Sequence, residues 1–226
     1  MSIIFVLASL AMIGIGFVDT FMAKTYGEVV TNNLKLRNEN QAIVEVLGKF
    51  RKHYARSLAQ DLGFDLDASH HRITFYVFDE KNNYFYRFHR HSSNPNYLGT
   101  TNNQYSPTQG CICKAWESGF HFDNQFPDPV KRYAAYCEYT RKLYNYTHDE
   151  VQQLKMKSRL YCSWAIKDTD GIGNVAVVVV ESTEPNKWSE QELHDFFVQR
   201  REALRQYIAT IHPILPKLSD ASNLGL

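Results

Sequence analysis

Ser106-Pro107-Thr108-Gln109-Gly110 reads as a turn, and Cys111-Ile112-Cys113-Lys114-Ala115-Trp116-Glu117-Ser118-Gly119 follows it as a short helical pattern. After a long aromatic insert comes the strand-like Ser158-Arg159-Leu160-Tyr161-Cys162-Ser163-Trp164-Ala165-Ile166. A turn, Asp168-Thr169-Asp170-Gly171, leads into Gly173-Asn174-Val175-Ala176-Val177-Val178-Val179-Val180-Glu181. The run Val175 to Val180 has no polar break, which predicts a strand buried on both faces. Ser189 and Glu192 then form the pair expected of a capping box, with Trp188 before the cap as a hydrophobic staple toward Leu193. The helix they start runs through Phe196, Phe197, Leu204, Tyr207, Ile208 and Ile211 and stops before Pro213.

Upstream, Arg72-Ile73-Thr74-Phe75-Tyr76-Val77-Phe78 is a β-branched and aromatic strand. Asp79 to Asn83 is its turn, and Tyr84-Phe85-Tyr86-Arg87-Phe88-His89-Arg90-His91 returns as a hairpin. Strict alternation divides Tyr84, Tyr86 and Phe88 from Phe85, Arg87, His89 and His91. Two hairpins separated by helical segments predict an α+β fold with an antiparallel sheet flanked by helices. The chain of 226 residues has room for one such domain plus extra helices, and its net charge of +1 gives no general attraction to nucleic acid.

This order of turn, helix, hairpin and capped helix resembles the GAF domain family of small-molecule sensor and dimerisation modules, over roughly residues 60 to 212. The resemblance implies a GAF-like sheet, with the first and last helices (the Ile43–Leu58 region and Gln191–Ile211) together on one face. It also implies a ligand pocket on the other face, covered by Asn94 to Leu154. Aromatics and arginines of that region and of the strand after it form an expected ligand-binding set: Trp116, His121, Phe126, Arg132, Tyr136, Arg159 and Trp164. The same aromatics would equally serve to fill the core of the insert. The asparagine–lysine–phenylalanine–aspartate–glutamate signature of cyclic-nucleotide-binding members is not present. A GAF branch that reduces free methionine sulfoxide offers a thiol mechanism for Cys113 and Cys137, although the cysteine spacing departs from that branch.

Residues 1 to 18 carry no charged side chain, and the basic residues Lys24, Lys35 and Arg37 come only afterwards. A span needs about 20 apolar residues. The expectation is a transmembrane anchor over 1–23, single-pass in the inner (cytoplasmic) membrane, with the C-terminal domain cytosolic. A long connecting helix over 24–60 follows. Its Val29, Leu36, Ile43 and Phe50 fall at heptad position d, and Asn33 and Asn40 at a, the pattern of a parallel coiled coil; Val30, Leu34 and Val44 fall off this seam, so a helix docked on the globular domain is the alternative. The GAF-like domain is expected over 61–212 and a tail over 213–226.

These readings combine into a membrane-anchored sensory protein, a homodimer, that binds an unidentified small molecule and signals through its helices or a separate output protein. A ligand-free adaptor that docks a partner protein at the membrane is the alternative, and a thiol-dependent enzyme a further one. No cofactor, catalytic residue, metal ligand or nucleic-acid partner is expected.

Overall fold

The computed structural model describes residues 2–64, 70–99 and 104–211, with side chains from residue 24 onward. The element order is α1 (Ser2–Asp61), β1 (His71–Asp79), β2 (Tyr84–His91), β3 (Gln104–Tyr105), α2 (Gly110–Ser118), β4 (Phe120–Asp123), α3 (Tyr133–Tyr144), α4 (His148–Gln153), β5 (Leu160–Lys167), β6 (Asn174–Ser182) and α5 (Glu190–Ile211). Two compact units divide between Lys49 and Phe50.

The first unit is helical, and its seam residues Tyr26, Val29, Leu36 and Ile43 are exposed. The membrane expectation is corrected here. Among the described residues no helix is long and apolar enough to cross a membrane, so a single-pass inner-membrane protein is not supported. The side chains of 1–23, on which that reading rested, lie outside those described, as does the tail 213–226.

The second unit is built on one six-stranded antiparallel sheet in the order β3-β2-β1-β6-β5-β4. Alternation along β1 sends Ile73, Phe75 and Val77 to one face, with Val178 and Val180 of β6 beside them. There they meet Ala55, Leu58 and Ala59 from the end of α1, Leu62 just beyond it, and Leu193, Phe197, Leu204 and Ile208 from α5. The intervening Tyr76, Val177 and Val179 face α2, α3 and the insert. This explains the unbroken valine run: Ala176 to Val180 is buried on both sides. The predicted capping box is present at α5, where Glu192 N–H donates to Ser189 Oγ and Ser189 N–H to Glu192 Oε2.

The hairpin β1–β2 departs from strict alternation. Phe75 pairs with His89 and Tyr76 with Arg87, so the ladder skips Phe88. Side chains directly opposite one another share a face. Arg87 therefore lies on the side of Tyr76 and Arg90 on the side of Thr74, whereas His89 and His91 face the helices with Phe75 and Ile73. The bulge places two arginines, three residues apart, on one side of the sheet.

Candidate functional site

On that side, a cavity of about 390 Å³ opens between the sheet and the segments that cross it. Its floor comes from strand residues that alternation turns away from the helices: Arg72 and Tyr76 of β1, Tyr161 of β5, and Val179 and Glu181 of β6. Arg72 and Glu181 are directly paired across the β1–β6 ladder. Their buried side chains form a two-pronged ion pair, with Nε to Oε2 and Nη2 to Oε1 both at 2.6 Å. Ser158 Oγ also donates to Glu181 Oε1 at 3.1 Å. Burial opposes the charge on each partner. The Arg72 charge outweighs it at Glu181, whose pKa is held below the usual carboxylate range, and Glu181 likewise raises that of Arg72.

The walls begin with Arg90 of β2. Its Nε donates to Thr74 Oγ1 at 3.1 Å, and its Nη2 makes a longer contact of 3.4 Å to Tyr76 Oη. Tyr105 stands edge-on to Tyr76 with centroids 5.0 Å apart. Opposite them the start of α2 supplies Gln109, Cys111 and Ile112. Gly110 sits at φ +76°, a left-handed conformation, and a Cβ there would lie 2.8 Å from Tyr146 Oη, another lining residue. Burial pushes the Cys111 thiol up to about 12.

Glu150 and Lys155 complete the rim. Glu150 belongs to a capping box at α4, where it accepts from Thr147 N–H at 2.7 Å and Thr147 Oγ1 at 2.8 Å. Gln109 Nε2 donates to the same carboxylate at 3.0 and 3.2 Å. Burial works against its charge, but these donors hold its pKa below the usual range.

The seven residues singled out from sequence lie elsewhere. Trp116 packs against Phe78 and Phe85, with ring centroids 4.8 and 5.0 Å away. Phe126 and Tyr136 lie in one buried cluster with Tyr144, and the buried Asp123 carboxylate accepts from Tyr139 and Tyr144. Tyr144 Oη in turn lies 2.9 Å from His121 Nε2, and its ring stacks on Phe126 at 5.6 Å. Tyr136 is 5.8 Å from Phe126. Arg132 is exposed at the start of α3, and Arg159 pairs with Asp128 at 3.8 Å. Trp164 lies on the helix-covered face, stacked on Phe197. None of the seven lines the cavity.

The insert aromatics thus form a core, and the cavity beside it uses Arg72, Arg90, Glu181 and the tyrosines. One signal for these residues was available. Arg72 and Glu181 are ionisable residues at the ends of otherwise apolar strands, in step with Tyr76 and Val179 by period two. Among the described residues no group of three His, Cys, Asp or Glu could hold a metal ion.

No protein-family model matches the chain, and no curated protein matches it. Solved structures similar in fold include the following three. The GAF domain of a two-component sensor histidine kinase from Bacillus halodurans has 13% identity and a TM-score of 0.46, over 70% of this chain and 95% of that one. The GAF domain from Acinetobacter phosphoenolpyruvate-protein phosphotransferase has 14% identity and a TM-score of 0.44, over 73% and 96%. A type II free methionine-R-sulfoxide reductase from Thermoplasma acidophilum has 10% identity and a TM-score of 0.44, over 70% and 94%. With its single antiparallel sheet, a helix pair on one face and a covered cavity on the other, the globular unit has a GAF-like fold.

Proposed function

We propose that the globular unit is a sensory domain that binds a small molecule in the cavity above Arg72, Tyr76 and Glu181. The observation that carries this reading is the cavity itself. Its volume of about 390 Å³ suits a metabolite, and its polar groups converge from β1, β2, β6 and α2. The packed core around Phe126, Tyr136 and Tyr144 would by itself suit a ligand-free adaptor; the open cavity next to it favours the sensor. Binding is also favoured over thiol catalysis. Burial raises the pKa of Cys113, with Glu117 adding to the effect, which disfavours the thiolate such an enzyme would need at that position.

The occupied state would reach the helices through β1. Thr74 and Tyr76 touch Arg90, and Phe75 between them packs on the opposite face against Tyr54 of α1 and Tyr207 of α5, at 6.4 and 5.4 Å. In this reading α1 pairs with its copy in a parallel homodimer along Val29, Leu36, Ile43 and Phe50, with Asn33 and Asn40 setting the register. A separate protein receives the signal.

The test is a thermal-shift screen of the full chain against a broad metabolite library. A ligand at a hundredfold its Kd stabilises by about 2.7 kcal/mol, a shift of several degrees. The Val179→Phe variant, which fills the cavity floor, should lose that shift; circular dichroism confirms that it folds. If no compound raises the Tm and gently purified protein carries no added mass, the sensor reading fails.

A further inference from the structure

Resting on that ligand-binding reading, we infer that the cavity takes a small organic monocarboxylate, its carboxylate held by Arg90 and its body against the lining tyrosines.

The charges of the cavity are unevenly matched. Three cations, Arg72, Arg90 and Lys155, and two carboxylates, Glu150 and Glu181, line it. Each carboxylate is already engaged within the protein: Glu181 by Arg72 and Ser158, Glu150 by Thr147 and Gln109. Arg90 is the group left over. It is partly buried, it bonds only to the hydroxyls of Thr74 and Tyr76, and among the described residues no carboxylate forms an ion pair with it. A guanidinium taken partly out of water, with hydroxyls for hydrogen-bond partners and, as the carboxylate that feels its charge, a Glu181 already held by Arg72, favours an anion.

Two features choose the kind of anion. The imbalance is a single charge and one guanidinium supplies the fork, which matches a carboxylate better than a dianionic phosphate. The start of α2 reinforces the attraction, because its cap residue Gln109 turns its side chain to Glu150 and makes no cap hydrogen bond to the helix. The rest of the lining sets the body of the ligand. Tyr76, Tyr105, Tyr146 and Tyr161 present rings, and Ile112 and Val179 present apolar surface, to something flat or aliphatic. Lys155, exposed at the rim, draws anions toward the opening.

The experiment titrates the full chain by calorimetry with matched acid and amide pairs: benzoate and benzamide, phenylacetate and phenylacetamide, hexanoate and hexanamide, with inorganic phosphate alongside. At least one acid should bind, and its amide should bind at least about tenfold more weakly. Arg90→Gln should abolish that preference and Arg90→Lys should retain part of it, while Arg159→Gln, whose side chain pairs with Asp128 and does not line the cavity, should leave it intact. Unchanged melting of the apo variants establishes that they fold. Amides that bind as well as acids, or acids that still bind to Arg90→Gln, overturn the carboxylate while leaving the ligand-binding reading in place. Failure of every acid, with or without phosphate binding, also overturns it; the metabolite screen then decides separately whether the cavity binds anything.

Discussion

His89 shows how one residue makes stability depend on pH. It faces the helices opposite Phe75, and burial pushes its pKa down to about 4, with Arg51, His91, Lys52 and Arg87 adding to the effect. An unfolded histidine titrates near about 6.5, so between these values the unfolded chain holds a proton that the folded chain rejects. The contribution of His89 is therefore complete above about pH 6.5 and is lost as the pH falls toward about 4. Allowing for its partial exposure, the loss amounts to about 1–2 kcal/mol. Urea unfolding at pH 7 and pH 5 should show this loss, and His89→Gln should reduce it, while His121, whose pKa burial also lowers, keeps a remainder. Glu181 acts in a lower window. Its folded pKa is depressed, so its stabilisation is present above the unfolded value near about 4.3 and disappears only below it. A variant equally sensitive between pH 7 and pH 5 would move the effect away from His89.

At the scale of elements, the start of α2 depends on a glycine. Gly110 and Gly119 flank this helix, both at positive φ, +76° and +85°. A Cβ at Gly119 would meet open space, whereas at Gly110 it would press on Tyr146 Oη. Gly119→Ala should carry only the backbone cost, about 1–2 kcal/mol. Gly110→Ala should cost more and should weaken ligand binding as Tyr146 shifts; equal unfolding midpoints for the two variants would remove Tyr146 from the cavity wall. The sequence made legible what is local. The Ser189–Glu192 capping box, both hairpins and the doubly buried valine run depend on neighbours a few residues apart. The cavity does not. Arg72 meets Glu181 across 109 positions through strand register, and the skipped Phe88 decides which face Arg90 takes. Phe126, Tyr136 and His121 were recognisable as a cluster, but their composition suited a core as well as a pocket.

For the whole molecule, the division at Lys49 and Phe50 sets an expectation about independence. The buried cluster beneath the sheet draws on residues from Tyr54 onward, so a chain that starts at Phe50 should fold and melt near the temperature of the full protein. Analytical ultracentrifugation should find the full chain as a dimer and the shortened one as a monomer. A monomeric full chain would dissolve the coiled-coil proposal and leave the cavity untouched. The two-sided sheet also bears on descent. Along β1, Ile73, Phe75 and Val77 hold the helices, and Arg72, Thr74 and Tyr76 shape the cavity side. A lineage can therefore reshape the cavity by substituting every second position of a strand, while the others preserve cohesion; one short segment transmits two traits that selection can alter separately.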